Sequence, residues 1–183
     1  MGATNMSTTE ISRKNFLANR RLGIGGSDAA GICGISRWKT PLSIYLDKLG
    51  FTPDSAETDA IKWGIKLEPL ILEAFQEETG KKVRSFRQQL SDTTHSFIIA
   101  NVDAIIPGEK AGLEAKTCNA YKASEWQNGI PDEYMLQCQH YMYVTGFTHW
   151  YIACLIGGQQ FKWYEIHRDD ELITNLVQRE VSF

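Results

Sequence analysis

The sequence predicts one α/β domain in which a mixed β-sheet is flanked by helices, and three observations support this fold class. The 183 residues are 43% hydrophobic and 22% charged, which is the length and composition of a single globular domain. Short apolar runs bounded by turn residues occupy the centre of the chain and recur near its end. Stretches with helical periodicity lie before, between and after these runs, so helices are expected to flank the sheet.

The N-terminal part of the chain is predicted to contain three helices, over residues 10–21, 28–33 and 41–49. A polar lead-in at residues 1–10 is expected to be disordered, so the single folded domain is predicted to span residues 11–183. Either Ser27 or Asp28 is expected to cap the second helix. Pro41 is suited to the first turn of the third helix, because its missing N–H is not needed there.

A long amphipathic helix is predicted over residues 57–79, ending before Gly80. Its buried stripe is expected to include Ile61, Ile65, Leu72 and Phe75. Strands are predicted over residues 83–90, 96–106, 113–117, 150–156 and 160–167. The turn at Pro107-Gly108 is expected to join the second and third of these strands as a hairpin.

The remaining segments are predicted to be helices and one loop. Residues 118–130 form the loop, with a helical turn at 121–126. A helix over residues 132–145 begins after Pro131, and the final helix begins at residue 168.

The composition argues against several classes of protein. The net charge of −3 does not indicate a general nucleic-acid binder, although basic residues cluster near positions 13–21 and 81–87. The four scattered cysteines lack C-x-x-C spacing, which argues against a zinc ribbon and fits free thiols in a reducing cytoplasm. The sequence contains neither an apolar run of membrane-spanning length nor a secretory signal, so we expect a cytoplasmic protein without membrane association.

Three residues in the middle of the chain have the pattern of a metal-dependent hydrolase. Asp103 ends an apolar run, and Glu114 and Lys116 follow on the next predicted strand. Side chains two residues apart share a strand face, so Glu114 and Lys116 are expected to lie side by side while Ala115 faces the core. A hairpin would bring Asp103 alongside them. Two carboxylates without imidazole or thiolate suit Mg²⁺ or Mn²⁺, and a neighbouring lysine can orient or deprotonate a water for phosphodiester hydrolysis.

This arrangement resembles the PD-(D/E)xK nuclease superfamily, with Val102-Asp103 in place of Pro-Asp and Glu114-Ala-Lys116 as the E-x-K. Taken alone, the segment is equally compatible with an ordinary hairpin whose charged residues are solvated. Glu68 lies four residues after Gly64, as in the G-x-x-x-E helix motif of many exonucleases in this superfamily. It would add a third carboxylate, whereas a lone helical glutamate is more often simply exposed to solvent.

Two overlapping Q-x-x-x-Y patterns lie on the predicted helix at 132–145: Gln137 with Tyr141, and Gln139 with Tyr143. Residues four apart share a helix face, so one pair is expected to face the site and the other to pack. A neutral amide can hold a phosphate without adding charge. The alternative is an amphipathic helix whose polar residues face solvent.

Over nearly its whole length the chain resembles the YqaJ-type viral recombinases, which include the lambda-type phage exonucleases. The resemblance runs in order through Arg21, Gly26-Ser27-Asp28, Gly64 to Glu68, Asp103, Glu114 to Lys116, and Gln139 to Tyr143. The catalytic residues that it implies are Glu68, Asp103, Glu114 and Lys116, with Lys116 positioning the attacking water. The implied ligands of Mg²⁺, or of Mn²⁺, are Asp103, Glu114, the backbone carbonyl of Ala115, and Glu68.

The same resemblance implies a site for the 5′-terminal phosphate of DNA. The residues expected there are Arg21, Ser27, Gln139 and, where some relatives carry a serine, Asn101, with Gln137 and Tyr143 in supporting roles. The residue types agree with this expectation, because an arginine offers a planar fork to phosphate oxygens and a glycine-rich turn at a helix start favours an anion. A simple tight turn is the alternative for the glycines.

The resemblance implies a Mg²⁺-dependent exonuclease that degrades the 5′-ended strand of linear double-stranded DNA and leaves 3′ overhangs for single-strand annealing recombination. It also implies a homotrimeric ring around DNA, a phage annealing protein as partner, and the bacterial host cytoplasm as location. Two alternatives remain open: a site- or structure-specific endonuclease on the same core, and a non-catalytic DNA-binding protein. Trp38-Lys39 could also reach DNA.

Overall fold

Two β-sheets form the centre of the computed structural model, which describes residues 18–53 and 58–183. In spatial order, the larger sheet contains β2 (Arg84–Ser85), β5 (Ala104–Ile105), β6 (Ala111–Cys118), β7 (His149–Ile156) and β8 (Gln160–His167). The smaller sheet contains β1 (Ile24–Gly25), β4 (Ile98–Asn101) and β3 (Gln89–Ser91). Parallel pairing joins β6 to β7 and β1 to β4, whereas the other neighbours are antiparallel, so both sheets are mixed.

Besides the helical residues 18–21, five helices and a 3₁₀ segment at Ala120–Trp126 surround the sheets in the described part of the chain. The helices are α1 (Gly26–Ile32), α2 (Pro41–Lys48), α3 (Asp59–Thr79), α4 (Asp132–Thr145) and α5 (Asp170–Ser182). Side chains cap three of them: Thr40, Thr58 and Asp169 each accept a hydrogen bond from the backbone N–H three residues later. Glycines in the left-handed region end α3 and α4, with φ of 70° at Gly80 and 68° at Gly146.

The strand β7 has a helix on each of its faces. Trp150, Ile152 and Cys154 point into a core cluster that includes Cys138 and Met142 of α4. The alternate residues Tyr151 and Ala153 enter a second cluster, where they pack with Ile71, Leu72 and Phe75 of α3. A strand that is buried on both faces has a continuous apolar sequence, and residues 150–156 have such a sequence.

The predicted fold class is confirmed, and several element boundaries agree with the sequence-based expectation. The helix over residues 132–145 and the strand over 160–167 have the predicted limits. The predicted lead-in at residues 1–10 and most of the predicted helix at 10–21 lie outside the described residues, although residues 18–21 are helical.

Two smaller expectations about the helices were wrong. The N-cap of α1 is Gly25 rather than Ser27 or Asp28, and Asp28 accepts a hydrogen bond from the Gly25 N–H at 3.2 Å from inside the first turn. In α3, Ile61 and Ile65 are 39% and 56% exposed, because they precede the part of the helix that packs on β6 and β7.

The predicted strands over 83–90 and 96–106 are each divided between the two sheets. The second one leaves the smaller sheet after Asn101 and enters the larger sheet at Ala104, with a bend at Asp103. At that bend the Asp103 side chain, rather than its backbone, accepts the hydrogen bond from the Ala115 N–H of the neighbouring strand. The division therefore places one aspartate at the junction of both sheets.

None of the helices in the described part of the chain is both long and apolar enough to cross a membrane. All four cysteines are free thiols, as expected, although the sulfur atoms of Cys118 and Cys154 lie 3.7 Å apart on neighbouring strands.

Candidate active site

The strand β6 presents Glu114 and Lys116 on the same face. The Lys116 Nζ donates a hydrogen bond to the Glu114 Oε1 at 2.6 Å, and Glu114 is only 4% exposed. The intervening Ala115 packs against the cluster on the other face of the sheet. The spacing of two residues thus produces the expected side-by-side arrangement.

Asp103 lies on the adjoining strand edge and joins this pair. Its Oδ2 accepts the hydrogen bond from the Ala115 N–H at 2.8 Å, which fixes the carboxylate beside β6. In the register of β5 and β6, Ala104 faces Leu113, so Asp103 comes opposite Glu114. The bend between the sheets and the E-x-K strand thus bring two carboxylates and one ammonium together.

One face of α4 completes the contact with Glu114. The amide Nε2 of Gln137 donates to the Glu114 Oε1 at 2.8 Å and to the Tyr141 hydroxyl at 2.7 Å. Gln137 and Tyr141, four residues apart, are therefore the Q-x-x-x-Y pair that faces the site.

The other Q-x-x-x-Y pair is engaged elsewhere in the fold. The amide of Gln139 donates to the His167 carbonyl at 2.8 Å and accepts from the Asp169 N–H at 3.0 Å. The Tyr143 hydroxyl donates to the Asp92 carboxylate at 3.0 Å. In this structure Gln139 and Tyr143 thus bond groups other than Asp103 and Glu114.

Glu68 approaches the same carboxylates from α3. Burial raises the pKa of Glu68, the nearby Asp103 carboxylate raises it further, and Arg87 partly opposes both effects. The Arg87 guanidinium lies 4.0 Å from the Glu68 carboxylate and is itself largely exposed. Glu68 is therefore electrostatically part of the site, with a side chain that is still 26% exposed.

The electrostatics of the central residues are those of crowded carboxylates. Burial, followed by the charge of Asp103, raises the pKa of Glu114 to about 8 even though Lys116 opposes the shift. Burial also raises the pKa of Asp103 above its ordinary value, against the opposing effects of Lys116 and the Ala115 N–H. For Lys116 burial alone would lower the pKa, but Glu114 and Asp103 outweigh it, so the amine is protonated.

The donor set fits a hard divalent cation that is held from one open side. The Glu114 Oε2 is buried without a hydrogen-bond partner, which is costly unless another ligand takes it up. A divalent cation would also relieve the mutual repulsion that raises the pKa values of the carboxyl groups. Across residues 18–53 and 58–183, no group of three or more histidine, cysteine or acidic side chains is placed to hold a metal ion, so Asp103, Glu114 and Glu68 do not make a complete cation site by their side chains alone.

A cluster of basic side chains surrounds the start of α1, where Ser27 lies. The Arg20 Nη2 donates to the Ser27 Oγ at 3.2 Å, and the Lys39 Nζ donates to the Ser27 carbonyl at 3.3 Å. Asp28 holds this cluster together, because its buried carboxylate pairs with Lys39 at 2.7 Å and with Lys48 at 2.6 Å. Burial would raise the pKa of Asp28, but Lys39, Lys48 and Arg20 together lower it.

The remaining predicted phosphate ligands occupy different positions. The Arg21 guanidinium bonds the Asp47 carboxylate at 3.3 Å and the Thr52 carbonyl at 2.9 Å, so Arg20 is the arginine at Ser27. Asn101 lies at the end of β4, opposite Gln89. Sequence reasoning missed Arg20, Lys39 and Lys48 as neighbours of Ser27. The basic cluster at positions 13–21 pointed only to Arg20, and the expectation that Trp38-Lys39 could reach DNA pointed only to Lys39.

Comparison with known proteins gives the chain a family context. A model described as "YqaJ-like viral recombinase domain" matches residues 15–148. The chain is 46% identical over 179 residues to the uncharacterized protein YqaJ of Bacillus subtilis (strain 168), which covers 96% of this chain and 56% of that protein. The chain thus spans little more than half the length of this curated relative.

Solved structures share the fold at low sequence identity. The alkaline exonuclease LHK-Exo from Laribacter hongkongensis is 21% identical, with a TM-score of 0.78 over 92% of this chain and 89% of that chain. A phage-related exonuclease from Haemophilus somnus 129PT is 16% identical, with a TM-score of 0.69 over 91% and 94% of the two chains. LHK-Exo has also been solved in complex with dAMP, with a TM-score of 0.77, 22% identity and coverage of 92% and 89%. The predicted PD-(D/E)xK type of fold is confirmed by this likeness.

Proposed function

Since the chain belongs to the YqaJ-like viral recombinase family, we propose that it is a Mg²⁺-dependent exonuclease that degrades the 5′-ended strand of linear double-stranded DNA. The observation that carries this proposal is the convergence of Asp103, Glu114 and Lys116 at the junction of the two sheets. Solved proteins with the same fold are exonucleases, and one of them binds dAMP, a nucleoside monophosphate of the kind that stepwise DNA degradation releases.

The carboxylates of Asp103 and Glu114, the Ala115 carbonyl and Glu68 would hold the metal, and Mn²⁺ could replace Mg²⁺. The unpaired Glu114 Oε2 and the raised pKa values of all three carboxyl groups support this assignment. When bound, a divalent ion lowers the pKa of a coordinated water and stabilises negative charge on the reacting phosphate. Gln137 keeps the Glu114 carboxylate in one orientation through its amide hydrogen bond.

Lys116 has the role of a cation in this site. Its charge is stabilised by both carboxylates, so it holds a proton at neutral pH and can donate a hydrogen bond to a water molecule. We therefore assign it to positioning the attacking water and to stabilising negative charge on the phosphate, rather than to removing a proton from the water. Its side chain retains 20% exposure, which leaves the ammonium accessible from the open side.

The basic cluster at Ser27 is proposed to hold the 5′-terminal phosphate. Arg20 and Lys39 contact Ser27 directly, and Arg21 and Asn101 follow from the resemblance alone. Gln139 is left out of this proposal because both polar atoms of its amide bond the backbone near the end of β8. The product 3′ overhang would serve single-strand annealing with a phage annealing protein, in the cytoplasm of a bacterial host.

The test compares linear 5′-phosphorylated, linear 5′-hydroxyl and covalently closed circular duplex DNA, with Mg²⁺ and with EDTA. We expect loss of linear DNA alone, faster with the 5′ phosphate, and a decrease of kcat by about 10²- to 10³-fold in Lys116→Ala, the effect of removing one group that stabilises negative charge in the transition state. Strand-specific end labels then establish the polarity. Nicking or linearisation of the circle would replace this proposal with an endonuclease. DNA binding without any metal-dependent loss would favour a non-catalytic binding protein.

A further inference from the structure

A tryptophan stands exposed on the loop that leads into α2. Trp38 is 70% exposed, which is unusual because tryptophan is highly buried on average. The Lys122 Nζ lies 4.7 Å from the centroid of its ring, in the position of a cation–π contact. A cation thus lies over one face of the indole, and most of the indole surface remains accessible to a ligand.

The loop that carries Trp38 is held in one conformation. The Ser36 Oγ accepts hydrogen bonds from the Trp38 N–H at 3.1 Å and from the Lys39 N–H at 3.2 Å. The neighbouring Arg37 forms an ion pair with Glu125 at 2.6 Å. Since Glu125 and Lys122 both belong to the 3₁₀ segment, Trp38 is fixed against the element that directly follows β6.

Several contacts place this loop beside the proposed active site. Lys39 follows Trp38 and reaches the Ser27 carbonyl, so one end of the loop joins the basic cluster at α1. Arg37 pairs with Glu125, and Trp126 of the same 3₁₀ segment stacks on Tyr134 with ring centroids 5.5 Å apart. The Tyr134 ring lies 4.9 Å from the Lys116 Nζ. The loop that carries Trp38 is therefore connected to the proposed phosphate-binding cluster through Lys39 and to the surroundings of Lys116 through the 3₁₀ segment.

An exposed indole among fixed cations has the chemistry of a nucleobase platform. Every base offers a flat π-face, so stacking on an aromatic side chain tolerates all sequences, as an exonuclease that degrades any DNA end requires. Lys122 adds positive charge beside the ring, which complements the phosphates next to a stacked base. The apolar side chain of a protein partner would not need cations at this position.

We propose that Trp38 stacks on a nucleobase of the DNA substrate and so positions the strand end for cleavage. This inference rests on the proposed nuclease function. Lys122 holds the indole from one side, and the Ser36 turn fixes its backbone, so the platform exists before DNA arrives. Trp38 acts as a binding and positioning residue, and the reacting phosphate is left to Lys116 and the carboxylates.

The experiment compares the wild-type protein with Trp38→Ala and Trp38→Phe on a series of linear duplexes. Each duplex carries one abasic nucleotide, and its position moves one nucleotide further from the 5′ end in each member of the series. Binding is measured in EDTA and kcat/KM in Mg²⁺. We expect Trp38→Ala to weaken binding about 5- to 150-fold on intact DNA, the effect of losing one base–aromatic stack, while Trp38→Phe keeps most of the affinity. At the abasic position that removes the stacked base, the wild-type and Trp38→Ala proteins should bind equally.

Trp163→Phe is the matched control, because Trp163 is a partly exposed tryptophan that packs on Phe75 and bonds Glu78. It should bind every duplex as the wild type does. Equal binding by wild type and Trp38→Ala on intact DNA, or a Trp38→Ala defect that is the same at every abasic position, would overturn the inference. If the wild-type protein itself failed to degrade DNA, that result would contradict the proposed nuclease function rather than the stacking role of Trp38. Far-ultraviolet circular dichroism confirms that each variant is folded.

Discussion

Glu114 is a carboxyl group that the fold buries at a cost. It has Lys116 and Gln137 as hydrogen-bond partners through one oxygen, while its other oxygen has none. An apolar side chain at this position would make the fold more stable, because a buried, incompletely paired acid destabilises the folded state. The cost is consistent with a site that is built for a ligand.

The stability gained from Mg²⁺ should depend on pH through Glu114. The pKa of about 8 in the folded protein lies above the unfolded value of about 4.3, so stability from this proton is complete below pH 4.3 and is lost as pH rises towards 8. The metal competes with that proton. We therefore expect the increase in Tm on adding Mg²⁺ to be larger at about pH 8.5 than at about pH 6. Differential scanning fluorimetry measures it.

Glu114→Gln is the control for this linkage, because it keeps the shape of the side chain and removes its ionisation. The variant should lose most of the Mg²⁺-dependent increase in Tm at both pH values. An identical increase at both pH values in the wild-type protein would contradict the competition between Mg²⁺ and the Glu114 proton, and an unchanged increase in Glu114→Gln would show that Glu114 does not bind the metal.

At this scale the sequence predicts that Glu114 and Lys116 lie side by side, but it does not predict all of their neighbours. The i, i+2 spacing of Glu114 and Lys116 is enough to place them together, because a strand has a period of two. The choice between Gln137 and Gln139 depends on how α4 is rotated about its axis. That rotation is set by the packing of Cys138 and Met142 on β7, which local sequence does not contain.

Among the elements, the strand pair β5 and β6 determines the geometry of the site. Residues 97–106 are apolar except for Asn101 and Asp103, and this pattern predicts one strand. The division into β4 and β5 arises from a tertiary hydrogen bond between the Asp103 side chain and the Ala115 N–H. Periodicity cannot reveal such a bond, whereas the helix ends at Gly80 and Gly146 follow from local conformation and were predicted.

Gly112 in β6 should be intolerant of any side chain. A Cβ at this position would come within 2.2 Å of the Trp150 ring on the facing strand, and both strands carry site residues or their support. We expect Gly112→Ala to lower the free energy of unfolding by about 1–3 kcal/mol, the usual effect of overpacking a core. Urea denaturation followed by circular dichroism gives this value.

Gly64→Ala provides the comparison for that measurement. An added Cβ at Gly64 has no atom closer than the Thr117 Oγ1 at 3.9 Å, and the residue lies inside α3. Alanine should stabilise this helix by about 0.5–1 kcal/mol. A Gly112→Ala protein as stable as the wild type would mean that Trp150 can move aside.

On the scale of the whole molecule, α2 and the segment that follows it expose several apolar side chains to solvent. Leu42, Tyr45, Leu49 and Phe51 are 65%, 48%, 52% and 73% exposed. A contiguous apolar surface of this kind is typical of an interface between proteins. The family resemblance implies a homotrimer, and we propose that this surface is buried within it.

The wild-type protein should therefore have three times its chain mass of 20.7 kDa in light scattering coupled to size-exclusion chromatography. The double variant Leu42→Glu with Phe51→Glu should be monomeric, because buried carboxylates without partners oppose association. Leu70→Glu changes an exposed leucine on α3 and should leave the trimer intact. A monomeric wild-type protein at micromolar concentration would contradict the trimer, and a trimeric double variant would place its interface elsewhere.

The hydrogen bond from the Ala115 N–H to Asp103 also turns one backbone amide into a spectroscopic probe of the site. The chemical shift of an amide proton changes with the charge of the carboxylate that accepts it, and here the acceptor is a proposed metal ligand. The Ala115 cross-peak in a ¹⁵N–¹H correlation spectrum would therefore move when a cation binds, without DNA and without turnover. Occupancy of the metal site could thus be titrated even in variants that have lost all nuclease activity.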